Sequence, residues 1–467
     1  MAKPILLNAF HMNTVAHQSH GMWTHPRDRS RHYNQIGYWL DLARTLERGR
    51  FDGLFLADVL GVYDVYQGSP DAALRNGMQI PVGDPMLLIP AMATVTEHLG
   101  FGVTGTLSFE PPYPFARRMS TLDHLTNGRI AWNVVTGYLN SAAQGMGLSK
   151  QETHDRRYDS ADEYMEVVYR LWEGSWEDDA VQADKTTRVF TDPAKVHRVR
   201  FDGAYYSVDA IHLCEPSPQR TPVLFQAGAS ARGRAFAARH AECVFINGTS
   251  KPVAASFVAD LRERTVEQGR RADDVRIFNM ATVIVGRDEA EARAKLADYR
   301  SHVSHESALA VLSGWSGIDL GKYGLDEALR YEKTEAIQSF MDIFRAGDTQ
   351  KFWTMRELAE RAAIGGSSPL FVGSPAQVAN GLEAWVDETG IDGFNLAYVV
   401  MPETFTDFVD LVVPELQRRG RLKRAYESGT LREKLFGHAR LQAPHPAWAL
   451  RPRSASGAKH DAYPPES

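Results

Sequence analysis

Asn133, Thr136 and Tyr138 close an apolar run in which Ala131, Trp132, Val134 and Val135 leave little room for polar side chains. Such a run suits a parallel strand buried on both faces, so polar residues at its end stand where a strand tip opens onto a ligand. They also fit an ordinary polar loop after a buried strand. Other chemically capable groups fall at or near the ends of comparable runs: Phe10 and His17 after the first, Asp58 and Tyr63 after the second, Thr104 and Thr106 in the third. Most of these form neutral hydrogen bonds. The set suits an uncharged polar heterocycle better than a metal ion, which needs several converging histidines or carboxylates. His17-x-x-His20 is only a weak ligand spacing, and no metal is expected. His154 and Tyr158, four residues apart, share a face if their segment is helical.

A second informative segment is Gln226-Ala227-Gly228-Ala229-Ser230-Ala231-Arg232-Gly233-Arg234. A strand ends there in small residues and a helix is expected from Ser230, so free backbone N–H groups and the helix dipole would favour a phosphate. Small residues also serve a tight turn between strand and helix with no ligand at all.

The elements that must position these residues alternate along the chain. Strands are expected at 4–12, 51–59, 101–108, 129–135, 222–227, 243–247, 275–286 and 393–400, with helical patterns between them. Ile36, Trp39, Leu40, Ala43 and Leu46 repeat at helical spacing before Gly49, Asp84-Pro85 reads as an N-cap, and Ser160-x-x-Glu163 reads as a capping box opening a further helix. No Gly-x-Gly-x-x-Gly follows the first strand. Eight such units predict an α/β fold, a single (β/α)8 barrel over 1–420 with insertions near 61–83, 174–220 and 303–370. The segment 421–467 reads as too polar to build a core and is expected to contact another subunit and then fray.

Composition narrows the partners. The 467 residues are 43% hydrophobic with a formal net charge of −6, and no long basic block appears, so neither nucleic acid nor an anionic membrane is indicated. Cys214 and Cys243 are too few for a disulfide framework, and the opening residues lack a signal-peptide profile, so a cytoplasmic location is expected.

Taken in order, these segments resemble the flavin-dependent monooxygenases of the bacterial-luciferase superfamily, in the subgroup of nitrilotriacetate, dibenzothiophene-sulfone, long-chain alkane and dimethyl-sulfide monooxygenases. The likeness runs from about Asn8 to Gly437. It rests on Leu46-Glu47-Arg48-Gly49-Arg50-Phe51-Asp52, Phe55-Leu56-Ala57-Asp58, Trp132-Asn133-Val134-Val135-Thr136, Asp155-Arg156-Arg157-Tyr158 and Val412-Val413-Pro414-Glu415-Leu416, among others. The resemblance implies a two-component system in which an NAD(P)H:flavin reductase supplies FMN as FMNH2, which reacts with O2 by way of a flavin peroxide. It implies a homodimer or homotetramer. Carried over by position, Asp58, Thr104, His154, Tyr158 and Ser230 would contact FMN, with Gly228 and Ala229 beside the phosphate end, and Asn133 and Tyr138 would lie near the ring. His17 and Tyr63 match positions linked with substrate or oxygen handling, as proton donors or as lid residues.

Within the subgroup, Thr14, Tyr138 and Val311 depart from the alkane enzyme, and Ser313-Gly314-Trp315-Ser316-Gly317 favours the dimethyl-sulfide one. Phe10, Met12, Leu60, Val62, Phe109, Trp132 and Val311 form an apolar candidate lining without Arg or Lys. The expected substrate is therefore small and apolar, an alkyl sulfide ahead of a long-chain alkane. A deazaflavin-dependent oxidoreductase and a non-catalytic flavin-binding protein are the alternatives on the same barrel.

Overall fold

The computed structural model describes residues 3–228, 230–327 and 353–452. Eight parallel strands carry the fold: β1 (Leu6–Met12), β2 (Gly53–Ala57), β3 (Gly100–Thr106), β4 (Ile130–Val135), β5 (Val223–Gln226), β6 (Cys243–Ile246), β7 (Arg276–Val285) and β8 (Gly393–Ala397). Each pairs with the next, β8 pairs with β1, and the barrel is closed on all sides. All eight expected strands are present, most of them shorter at one or both ends, while β3 starts one residue earlier than expected. A further strand, Leu370–Gly373, lengthens the sheet beside the C-terminal half of β7. It starts at the last residue of the expected insertion 303–370, and no strand is expected there because only four residues pair.

Alternation along each strand separates an inner from an outer core. Phe10, Phe55, Ala131, Phe225 and Phe278 fill the barrel, where Phe10, Phe55, Phe225 and Phe245 meet edge to face with centroids 4.9–5.6 Å apart. Trp132 faces the other way. It packs on Phe115 and Trp172 and donates Nε1–H to the Gly105 carbonyl at 3.0 Å, so it belongs to the shell between strands and helices rather than to a ligand wall. The helix Ile36–Arg48 buries Trp39, Leu42, Ala43 and Leu46 against that shell, as its spacing predicts.

One start signal misled. The helix expected at Ser160 begins at His154 and runs to Tyr169, so Ser160 and Glu163 are interior to it. Glu163 instead accepts from the backbone N–H groups of Ala204 and Tyr205 at 2.9 and 2.8 Å, fastening a side hairpin (Val199–Asp202 with Ser207–Ala210) to the helix.

The insertions sort into two places. Residues 174–220 form two small hairpins on the flank. Residues from 61–83 and the described part of 303–370 join the helix Asn140–Gly145 in a satellite core over the barrel's C-terminal mouth, with Tyr63, Met78, Leu139, Leu309, Leu312 and Leu358 in its interior. Residues 328–352 of that expected insertion lie outside the described residues.

At the opposite end, the segment after Gly420 corrects the expectation that it is too polar for a core. The helix Leu431–Phe436 places Leu431 and Leu435 in the barrel's inner cluster, and Arg432 is fully buried in a forked ion pair with Glu242 at 2.7 and 2.9 Å. Arg432 also donates to the carbonyls of Gln219 and Thr221 at 3.2 and 2.9 Å, and Glu242 accepts from the Leu224 N–H at 3.1 Å. A charge pair this satisfied survives burial, and removing one partner strands the other. The part of the tail expected to fray, from 453 onward, lies outside the described residues. Arg432→Ala is expected to lower stability by about 3–5 kcal/mol, read as a shift of the urea midpoint.

Candidate active site

A cavity of about 440 Å³ opens at the C-terminal mouth of the barrel. Its wall takes Phe10 from β1, Asp58 and Leu60 beyond β2, Thr106 and Phe109 at and beyond the end of β3, Val135 and Tyr138 from the end of β4, Gln226 from β5 and Phe245 from β6, closed by Trp315 from the satellite core. Sequence reasoning placed Asp58, Tyr138 and Tyr158 at a site, and all three line this cavity. His17, Tyr63, Thr104 and Asn133 stand behind its wall and act on it through neighbours. Leu60 and Phe109 hold their expected places in the lining, whereas Val311 is fully buried in the satellite core. Thr14 donates to the Pro81 carbonyl at 2.7 Å and tethers the insertion.

One end of the cavity is a polar cradle. The helix Ala231–His240 starts at Ser230, whose Oγ accepts from the Gly233 N–H at 3.0 Å and meets His154 Nε2 at 3.1 Å. Tyr158 takes a hydrogen bond from Gln226 Nε2 at 3.4 Å, and Gln226 Oε1 accepts from the Gly228 N–H at 2.8 Å. Glycine is required at both 228 and 233. A Cβ on Gly233 would stand 2.8 Å from the Tyr158 hydroxyl and 3.0 Å from the Gly228 Cα, and a Cβ on Gly228 would meet Gln226 Nε2 at 2.3 Å. Arg157, which sequence reasoning noted only as part of a motif, keeps a buried Nε without an acceptor among the described residues. Ala229 lies outside the described residues.

Deeper in, Asn133 Nδ2 donates to Thr104 Oγ1 at 2.9 Å, while Asn133 Oδ1 and Thr106 Oγ1 are buried without partners among the described residues. Polar atoms so placed call for a polar ligand or water. On the cap side, Trp315 Nε1–H donates to the Tyr63 oxygen at 3.3 Å and Tyr63 O–H donates to Gln79 Oε1 at 3.1 Å. The hydroxyls of Tyr63 and Tyr138 also touch. Since the one proton of Tyr63 goes to Gln79, Tyr138 is the donor to Tyr63. Tyr138 leaves 43% of its surface open while its hydroxyl is tucked into this chain. Sequence spacing gave no sign of this pairing, since Gln79 lies 16 residues from Tyr63 in the same insertion and Trp315 comes from the insertion 303–370.

Electrostatically the mouth is neutral. Burial drives the His11 pKa down to about 3 and that of His20 to about 4, and His17 falls well below the usual imidazole value through burial and its two histidine neighbours. His17 is thus a neutral imidazole, packed edge-on to Phe10 at 4.4 Å and beside Gln18 Nε2 at 3.2 Å. Burial pushes Tyr63 up to about 12, so it keeps its proton. Asp58 differs: burial, assisted by the charge of Asp84, raises it to about 7 against a hydrogen bond from the Val59 N–H. It is the wall group whose protonation changes near neutrality.

His17 and His20 do not converge, for His20 Nδ1 meets Ser307 Oγ at 3.1 Å. Among the described residues the histidines and carboxylate that do converge are His25, Asp298 and His302, away from this mouth. His25 Nδ1 accepts from the Arg27 N–H at 3.2 Å, so its Nε2 carries the proton given to Asp298 at 2.9 Å and has no lone pair for a metal.

No described helix is long and apolar enough to cross a membrane. Comparison with known proteins gives one consistent result. The sequence profile described as luciferase-like monooxygenase matches residues 10–393. The dimethyl-sulfide monooxygenase of Hyphomicrobium sulfonivorans is 52% identical over 453 residues, covering 97% of this chain and 94% of that protein. The long-chain alkane monooxygenase of Geobacillus thermodenitrificans is 49% identical over 456 residues, covering 98% and 99%. The crystal structure of a riboflavin lyase with modified FMN and the substrate riboflavin superposes with a TM-score of 0.89 at 35% identity, covering 97% of this chain and 100% of that one.

The raised pKa of Asp58 fixes the sign of a pH effect. The folded state holds this proton more tightly than the unfolded chain, so the group's contribution is complete below about pH 4 and is lost as pH rises through about 7. Asp58→Asn is therefore expected to be more stable than the wild type at pH 8, by on the order of 2 kcal/mol, with the gap closing at pH 4 in parallel denaturant titrations.

Proposed function

The chain belongs to the luciferase-like monooxygenase family, and from that premise we propose that it is the oxygenating component of a two-component system that takes reduced FMN from a separate NAD(P)H:flavin reductase and oxidises a small alkyl sulfide with O2. Its relatives make it a flavin-dependent monooxygenase. Bound FMNH2 supplies two electrons, so that one oxygen atom enters the substrate and the other leaves as water.

The residues present fit FMN. Among the described residues Arg157 Nε, next to Tyr158 in sequence, and Asn133 Oδ1 are buried without partners, and neither Gly228 nor Gly233 has room for a Cβ. Ser230, His154, Tyr158, Arg157 and Gly228, with Ala229 between, would hold the phosphate end, where the helix Ala231–His240 presents its positive pole. Asp58 would meet the ring, with Thr104 and Asn133 as a hydrogen-bonded pair behind the wall. Tyr138, tied through Tyr63 to Gln79, and Trp315 would close the mouth against water, and exclusion of water protects an oxygenating reaction from its wasteful branch. His17, neutral and packed on Phe10, would orient the wall and offer a neutral N–H. Asp58, with a pKa near 7, is the better-matched proton donor.

The single observation that carries the substrate class is the wall itself. Phe10, Val59, Leu60, Phe109, Phe245 and Met280 line it, and among the described residues no Lys or Arg does. A polycarboxylate would need such cations to pair with. The same cavity of about 440 Å³ must take flavin ring and substrate together, which favours a small sulfide over a long alkane.

The reading is tested by coupling the protein to a flavin reductase with NADH, FMN and ¹⁸O₂, then adding dimethyl sulfide or hexadecane. The expected result is sulfide-dependent O2 uptake above the free-flavin background, with label in the product and little response to the alkane. No response to any sulfide, or turnover with a deazaflavin and no O2, would overturn it. Ser230→Ala is expected to weaken FMN binding about tenfold while leaving riboflavin binding unchanged, read by flavin fluorescence.

A further inference from the structure

A second cavity, of about 720 Å³, lies beside the first behind the turn Gly365-Gly366-Ser367. The turn is the partition. A Cβ on Gly366 would strike Gln18 Oε1 at 2.0 Å and approach Met280 at 3.5 Å, both residues of the first cavity, whereas Ser367 and Ser368 line the second. All three turn residues take left-handed backbone, with φ of 71°, 57° and 70°, so Ser367 holds a conformation that a non-glycine residue rarely adopts.

The second cavity is cationic. Among the described residues Arg300 and Arg361 line it against one carboxylate, Glu360. Neither arginine has a hydrogen-bonding or ion-pairing side-chain partner among the described residues. Arg361 lies over the Trp353 ring at 5.5 Å, and its Nε is buried with no acceptor. Ser367 is only 5% exposed and its Oγ has no partner among the described residues, while Ser368 Oγ is taken by Thr282 Oγ1 at 3.0 Å. His305 opens the helix His305–Ser316, so the positive end of that helix borders the same space.

We propose that this cavity binds a phosphate-class oxyanion. Two guanidinium groups, one of them with a buried Nε–H, and a buried hydroxyl belong to the lining of one recess, and a tetrahedral oxyanion has enough acceptor oxygens to meet them. The anion is either inorganic phosphate or the phosphoryl end of a second flavin mononucleotide held apart from the ring cavity. Both sources present the same chemistry to Arg300, Arg361 and Ser367, and neither bears on the oxygenation reading.

Because the 228–233 turn is itself assigned a phosphate, the test uses the Ser230→Asp protein, whose added carboxylate repels an anion there. Titration calorimetry with inorganic phosphate, against chloride at equal ionic strength, is expected to show one site. Adding Arg300→Gln and Arg361→Gln should weaken it at least about tenfold with unchanged thermal unfolding, and lysine at both positions should recover part of the affinity. Phosphate binding unaffected by the arginines, or none at all in the Ser230→Asp protein, would overturn the proposal. The source follows from the wild-type protein: two FMN per chain against one riboflavin identifies the flavin phosphoryl group, and one FMN with phosphate binding retained identifies the free anion.

Discussion

Closure of the barrel is the constraint on which everything else rests. Each parallel pairing, from β1 with β2 round to β8 with β1, satisfies backbone groups that would otherwise be buried or exposed as an open edge. Closure also points all eight strand tips at one mouth, which is why residues as distant in sequence as Phe10, Asp58, Gln226 and Met280 share one wall. The other end needs a stopper, because a cylinder of phenylalanines open to water would lose the burial that stabilises it. Leu431 and Leu435 supply the apolar part, and Arg432 with Glu242 fixes the helix that carries them. The C-terminal segment is therefore the barrel's floor.

The cap over the mouth is built on a different principle. It has a hydrophobic core of its own, made from two insertions and the helix Asn140–Gly145, which could not bury their apolar faces separately. Tyr63 belongs to this core, and its hydroxyl links Trp315, Tyr138 and Gln79. Gln79 in turn donates to the His17 carbonyl at 3.3 Å, so cap and barrel loop are joined through one polar chain. Hydrogen bonds screened from water in this way fix orientation more firmly than exposed ones.

What the sequence disclosed and what it hid follow from the range of the forces involved. The strands were legible because burial on both faces writes a continuous apolar run, and Ser230 was legible because its cap reaches only to Gly233. Asp58, Tyr138 and Tyr158 were reachable through strand ends and motif, and all three line the cavity. The Ser160–Glu163 pattern deceived because the same spacing occurs inside a helix, and the real N-cap, Thr153, makes no side-chain hydrogen bond that would mark it. Arg432 was misjudged with its whole segment because its partner Glu242 is 190 residues away. Trp315 and Tyr63 are 252 residues apart, and no local rule brings them together. The direction of a side chain across a strand was also ambiguous, so Trp132 was assigned to the lining when it faces the helices.

Charge is distributed between the two cavities in a way that bears on how the mouth works. His11, His17 and His20 are neutral because burial outweighs any interaction that would protonate them, and among the described residues no Lys or Arg lines the first cavity. Cations collect instead behind the 365–367 turn and at the 154–158 end. Asp58 is the exception within the wall, and its proton is held mainly by desolvation, with the Asp84 charge as a lesser cause. Any neutral ligand that displaces the remaining water from the mouth desolvates that carboxyl further and holds the proton more tightly. Filling the cavity and loading its acid are thus one process rather than two. A site arranged in this way has its proton in place when it is dry, which is the condition under which a reduced, oxygen-sensitive cofactor can be used without loss to solvent.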